Sequence, residues 1–291
     1  MAKRQKSSPG PRQRGSRYIQ SEENQTMECR IAYLRPGQIR ARLAECPAVY
    51  IPFGPLEWHG PHLPYGMDPL NAEAVALRAC AKSGGVVWGT QFWGTERERR
   101  PEQLRSLGFK PNEYVVGMDF PNHSLKSMYC PEEVFAIIVR EILRETVTLG
   151  AKLAVLVNGH GAENHIAVFK RLETEFNASG PLKVYFRLAA PKDALKTGSG
   201  EHAAAMETSI LMHLHAPSVD LKTLPPHPEP LHYRDYGIVD GPGFDGSGGP
   251  EHALTPPADP RTKANPEWGR EIVETSASEL AEEVREKVKG A

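Results

Sequence analysis

Four apolar segments, at 46–54, 85–92, 152–157 and 182–189, alternate with stretches of helical periodicity, and this alternation restricts the fold more than any other feature of the chain. The segments are short and rich in β-branched or aromatic residues, as buried strands are. Between them, "NAEAVALRACAKSG" (71–84) has the apolar spacing of a helix and a glycine stop. "CPEEVFAIIVREILRETVTLGA" (130–151) carries Pro131, Glu132 and Glu133 where a first helical turn favours them, and Gly150 where a helix ends. Further helices are expected at 162–176, 203–214 and 266–288. Strands that alternate with helices from 46 to 214 predict an α/β fold with a mostly parallel sheet covered on both faces.

The remainder bounds the function classes. Residues 1–26 are basic and rich in Pro, Gly and Ser, without the apolar core of a secretory signal, so a disordered arm is expected ahead of one folded domain at 27–291. A net charge of −1 argues against a nucleic-acid partner, and no apolar run reaches the ~20 residues of a membrane span. Cys29, Cys46, Cys80 and Cys130 are scattered without CxxC spacing, which fits a reduced, cytoplasmic location. Residues 93–128 read as an irregular insertion or flap, and the Pro- and Gly-rich tract after 216 as loops, with "VDGPGFDGSGGP" exposed.

The candidate chemistry lies where strands end, since open parallel sheets place sites at their carboxyl edge. The 46–54 strand runs into "GPLEWHGPHLPYGMD", which holds Glu57, His59, His62 and Asp68. Glu57 and His59 are two apart and share a face of an extended backbone, and Asp68 can return to them after the loop that Pro61, Pro64 and Gly66 enforce. By themselves these residues describe a polar turn as well as a metal site. The 152–157 strand runs into "NGHGAEN", whose His160 stands between two glycines that permit a tight turn. A third stretch, "GEHAAAMETS", offers His202 and then Glu207 among small and apolar residues, where a carboxylate is either exposed or paired. Imidazole and carboxylate donors converging on one sheet edge suit a divalent transition metal.

The three stretches "PFGPLEWHGPHLPYGMD", "VLVNGHGAEN" and "HAAAMETS" resemble, in order and spacing, the signature blocks of the creatininase (creatinine amidohydrolase) family. That resemblance implies a three-layer α/β/α sandwich that hydrolyses an amide-type C–N bond of a cyclic amide, formamide or small peptide-like substrate. It implies two divalent ions per chain (Zn, Mn or Fe) and a homo-oligomer, a hexamer. Carried over, Glu57, Asp68 and His160 would hold one ion, and His59, the bridging Asp68 and a further carboxylate the other. Creatininase supplies that carboxylate two residues after the second-block histidine. Here the position is Ala162, so Glu207 is the preferred substitute and Glu163 the runner-up. The aromatic residues that enclose creatinine correspond to Gly161 and Gly198, leaving Trp58, Trp88, Trp93 or Tyr129 to rebuild an enclosure.

In the mechanism this implies, a metal-bridging hydroxide attacks the carbonyl while an acid protonates the leaving nitrogen. His202 is the first candidate for the proton shuttle, on a loop expected to be mobile, with His62 and His123 behind it; Glu207 counts among the catalytic candidates as well as the ligands. Two readings compete with it. One is a non-catalytic metal-binding member of the same fold. The other is a nucleotide-binding protein with "NGHG" as its phosphate loop, which lacks a GxGxxG pattern or a P-loop lysine.

Overall fold

The computed structural model of the chain describes residues 28–106, 109–119, 125–197, 202–234, 237–238, 253–254 and 259–290. The arm expected at 1–26, the whole "VDGPGFDGSGGP" loop and His123 lie outside these residues. In chain order the elements begin with α1 (Pro36–Glu45), β1 (Ala48–Phe53), α2 (Met67–Ser83), β2 (Val86–Val87), α3 (Pro101–Ser106), α4 (Glu132–Thr148) and β3 (Leu153–Asn158). There follow α5 (Glu163–Ser179), β4 (Lys183–Leu188), α6 (Lys192–Thr197), α7 (Ala205–His215), β5 (Leu231–Arg234), β6 (Gly237–Ile238), β7 (Ala253–Leu254), α8 (Pro260–Lys263) and α9 (Pro266–Lys289).

The strands predicted from apolar runs form a parallel sheet in the order β2-β1-β3-β4. Every residue of β1 and β3 is buried, and their side chains alternate between two cores, as the two-residue period of a strand requires. Ala48, Tyr50, Val155 and Val157 pack with α2 and α9, whereas Val49, Ile51, Phe53, Ala154 and Leu156 pack with α4 and α5. The result is the α/β/α sandwich, with α9 lying across α2 and α7 on one face.

Three local features differ from the sequence reading. The 85–92 strand shrinks to Val86–Val87, and beyond it pairing survives only in single contacts such as Gln91 N–H to the Pro52 carbonyl (2.9 Å). Helix α2 begins at Met67, so Asp68 stands in its first turn and not in the preceding loop. Pro69 suits that turn, having no N–H to leave unpaired, and the helix dipole favours a carboxylate there. The Pro- and Gly-rich tract after 216 contains a small antiparallel sheet, ordered β6-β5-β7, which no periodicity announced.

The sheet order fixes where a site can form. From β1 the chain passes through α2 to β2 on one side, and from β3 through α5 to β4 on the other. Helices that depart in opposite directions leave a crevice above the carboxyl ends of β1 and β3, the place where ligands bind in open α/β sheets.

Candidate metal centre

Phe53 and Asn158 are paired at the ends of β1 and β3, so the segments that follow start side by side. The loop after β1 closes on itself through Glu57 N–H to the Tyr65 carbonyl (3.0 Å), which holds Glu57 and His59 over the crevice. Asn158 clamps the turn after β3: its Oδ1 accepts the His160 N–H (3.1 Å) and its Nδ2 donates to the His160 carbonyl. Gly159 permits the approach of the third element. A Cβ there would lie 2.1 Å from the Asp68 carbonyl oxygen, so the first turn of α2 rests directly on this glycine. Gly159 thus serves close approach rather than positive φ, and a Cβ at Gly161 would meet nothing within 4 Å.

Six of the residues expected at the site meet here: Glu57, His59, Asp68, His160, His202 and Glu207. Asp68 is divided between two partners, with Oδ1 3.3 Å from His59 Nε2 and Oδ2 3.1 Å from His160 Nδ1. Glu57 Oε1 is 3.3 Å from His160 Nδ1, 3.6 Å from His202 Nδ1 and 3.8 Å from His59 Nε2. Glu207 Oε2 lies 3.9 Å from His59 Nε2 and accepts the N–H of Ala203 at 2.6 Å. Ala203 holds a positive φ of 59°, strained for a residue with a Cβ, in the turn that aims His202 inward. Among the described residues, potential ligand atoms within 4.8 Å of one another form three groups: Glu57–Asp68–His160, His59–Asp68–Glu207 and Glu57–His59–His202.

The surrounding hydrogen bonds set the imidazole tautomers. His59 Nδ1 faces the Glu57 carbonyl (3.1 Å), which can only accept, so Nδ1 carries a proton and Nε2 points at the carboxylates. His202 Nε2 likewise donates to the Trp58 carbonyl and leaves Nδ1 facing Glu57. His202 lies in a turn, partly buried and tilted over His59 with ring centroids 4.2 Å apart, and residues 198–201 of the loop before it lie outside the described residues. His62 is buried beside the group with Nε2 3.0 Å from Thr208 Oγ1, and Glu163 stands at the surface paired with Arg97.

Charge in this crevice is balanced between groups. Burial opposes protonation of His59, but Asp68, Glu207 and Glu57 outweigh it and push the imidazole up to about 10. Burial opposes protonation of His160 too, and Glu57 and Asp68 overcome it. Burial likewise opposes ionisation of Glu57 and Asp68, and the neighbouring histidines reverse it, holding both below the usual carboxylate range. Burial raises Glu207 to about 7, and lowers His202 to about 4 with help from the charge on His59. Protons on His59 and His160 therefore occupy the electrostatic role that a cation between the carboxylates would take over, releasing them.

Two residues absent from the sequence reading of the ligand set border the group. The Tyr129 hydroxyl donates to Glu57 Oε2, and Glu96 Oε2 lies 3.8 Å from His160 Nε2. Both come from the irregular 93–128 region or its edge, where no period or spacing marks them. Of the four aromatic residues considered for an enclosure, Tyr129 reaches the group; the Trp58 ring packs with Leu104, Val115 and Met118, Trp88 packs against the α4–α5 core, and Trp93 is half exposed.

Comparison with known proteins places this geometry in context. Residues 32–284 match the family model for creatininase, described as creatinine amidohydrolase. Creatinine amidohydrolase of Pseudomonas putida is 24% identical over 269 residues, covering 86% of this chain and 92% of that protein. A 3-dehydro-scyllo-inosose hydrolase of Thermotoga maritima is 27% identical over 126 residues, covering 43% of this chain and 34% of that protein. A creatininase structure with Mn superposes with a TM-score of 0.63 at 23% identity, covering 89% of this chain and 98% of that one, a likeness of fold.

Proposed function

The chain belongs to the creatininase family, and from that premise we propose that it is a metal-dependent amidohydrolase that cleaves the C–N bond of a small-molecule amide with two divalent ions per chain. The observation that carries this reading is Asp68, whose two oxygens face His59 and His160 separately and so join two potential ligand triads through one carboxylate. The donor set fits such ions: carboxylates and imidazoles, buried and aimed inward, suit Zn, Mn or Fe. Glu57, Asp68 and His160 would hold one ion, and His59, Asp68 and Glu207 the other. When bound, the ions would supply a water of pKa near ~7 and Lewis-acid polarisation of a carbonyl.

The chain's own groups orient this chemistry. Tyr129 holds Glu57 Oε2, which leaves Oε1 to face the histidines. The Glu57 carbonyl fixes the His59 tautomer that presents Nε2. His202 offers Nδ1 as the atom that takes up a proton and returns it to the leaving nitrogen, its ring held by the Trp58 carbonyl. Burial of Glu57 and His59 keeps bulk water from their contacts and strengthens them. The family resemblance further supports a homo-oligomer, in keeping with Val134 and Ile137 exposed on the outer face of α4. Among the described residues no helix is long and apolar enough to cross a membrane, and a cytoplasmic location is part of the proposal.

The test is metal content followed by turnover. Reconstituted protein should bind about two ions per chain by elemental analysis and act on some member of a panel of cyclic amides, formamides and short peptides. Substoichiometric metal after reconstitution would sink the reading. Full metal without turnover on the panel would favour the non-catalytic member of the fold. Turnover of 3-dehydro-scyllo-inosose alone would move the substrate class away from amides.

A further inference from the structure

His160 presents two ring nitrogens to different surroundings. Nδ1 faces Glu57 Oε1 and Asp68 Oδ2, inside a ligand triad. Nε2 is buried and has no hydrogen-bond partner among the described residues. A neutral imidazole that gives its Nδ1 lone pair to an ion must carry its proton on Nε2. That N–H would then be a buried donor without an acceptor, which is costly. The carboxylate oxygen that faces it is Glu96 Oε2, at 3.8 Å.

Glu96 is held in this position by its neighbours. The Thr95 N–H donates to His165 Nδ1 (3.3 Å) and Asn164 Nδ2 donates to Thr95 Oγ1 (3.4 Å), so the segment is tied to α5 just beyond His160. Glu96 Oε1 accepts the Arg97 N–H at 2.7 Å, which leaves Oε2 for the imidazole. Gly117, with φ of +51°, makes room on the other side: a Cβ there would lie 2.2 Å from Glu96 Cγ. The carboxylate therefore sits in a fitted slot, partly buried, and Oε2 at 3.8 Å stands about 0.6 Å outside hydrogen-bond range of Nε2.

We propose that Glu96 is a positioning residue for the metal centre, accepting the His160 Nε2–H and thereby fixing the tautomer and ring orientation that present Nδ1 to the ion. The proposal rests on the reading of His160 as a ligand. Outer partners of this kind raise the basicity of the ligand, and their loss typically costs 10–100-fold in metal affinity. Glu96 itself belongs to none of the three potential ligand groups, so its removal should weaken an ion without deleting a ligand.

The experiment titrates metal-free wild type, Glu96→Gln, Glu96→Ala and His160→Ala with Zn²⁺ against a chelating dye, and records the visible absorption of Co²⁺-loaded samples. Glu96→Gln, which preserves size, should bind two ions, one of them about 10–100-fold more weakly, with an altered Co²⁺ spectrum and an unchanged melting temperature of the metal-free protein. Glu96→Ala should show the same selective loss. If Glu96→Gln binds both ions as tightly as wild type while His160→Ala loses one, the proposal is wrong and the ligand reading stands. If Glu96→Gln loses an ion entirely, Glu96 is a ligand and not a positioning residue. If His160→Ala keeps both ions at full affinity, the ligand reading fails and the proposal falls with it.

Discussion

Alanine at position 159 would test whether the backbone contact between β3 and α2 builds the metal centre. The added Cβ would start 2.1 Å from the Asp68 carbonyl oxygen, 2.6 Å from its carbonyl carbon and 2.8 Å from its Cα. These are backbone atoms, so no side-chain rotation relieves the clash. Separation to 3.0 Å, already tighter than ordinary contacts, requires about 1 Å of movement between the turn after β3 and the first turn of α2. Overpacking of this kind costs about 1–3 kcal/mol, or roughly 2–12 °C in melting temperature for a domain of this size. The same shift would stretch Asp68 Oδ2–His160 Nδ1 from 3.1 Å toward about 4 Å, away from the roughly 3.3 Å spacing of two ligands ~2.0 Å from a tetrahedral ion, and so weaken their shared hold on it. Thermal melts of metal-free protein with elemental analysis after reconstitution should therefore show a modest loss of stability and a large loss of metal. Gly161→Ala, with open space around the new methyl, is the control and should change neither by much. A Gly159→Ala protein that melts normally and retains two ions would refute the claim that this contact sets the Asp68–His160 distance.

Ownership of the second ion can be read from three substitutions. Glu207→Gln should lower the bound-metal count, whereas Glu163→Gln, altering a surface group paired with Arg97, should leave it intact; the reverse result would relocate the site. His202→Asn should keep both ions yet reduce turnover on a confirmed substrate by about 10²–10⁴, and loss of metal would make His202 a ligand. A pH prediction concerns Glu283, well away from the crevice, which accepts from Tyr185 Oη (2.8 Å) and pairs with Lys192 (2.6 Å) and Arg187 (3.3 Å). Burial opposes its ionisation, but the bonds to Lys192 and Tyr185 and the charge of Arg187 hold its carboxyl below the ordinary range. A depressed carboxylate stabilises the fold above its unfolded pKa of roughly 4.3 and loses that contribution as pH falls through the folded value. Glu283→Gln should accordingly cost about 1–2 kcal/mol in chelator-treated protein at pH 7. Its deficit should close as the pH falls below roughly 4. A deficit independent of pH in urea titrations would show that packing, not charge, is responsible.

Local chemistry was enough to announce the sandwich. Runs such as "AVYIPF" and "LAVLVN" can be buried only as strands in a covered sheet, and the 130–151 periodicity has a partner only in a layer above it. Glu57, His59 and Asp68 were also legible, because they lie within one short loop and the helix that follows it. What the chain could not state by itself was adjacency. His160 joins Glu57 because β3 pairs with β1, a choice among strand orders that no periodicity encodes. Glu207 and Glu163 are both first-turn helical carboxylates; only the direction in which each helix leaves its strand or turn sends one inward and the other into solvent. Glu96, and the bond that ties Tyr129 to Glu57, were illegible for a related reason. Their segment has little regular structure, and its path is set by distant partners such as His165 and Asn164 for Thr95, and Glu57 for Tyr129. A sequence records which side chains can bury or ionise, while the distances that turn them into a site arise from packing between elements far apart in the chain.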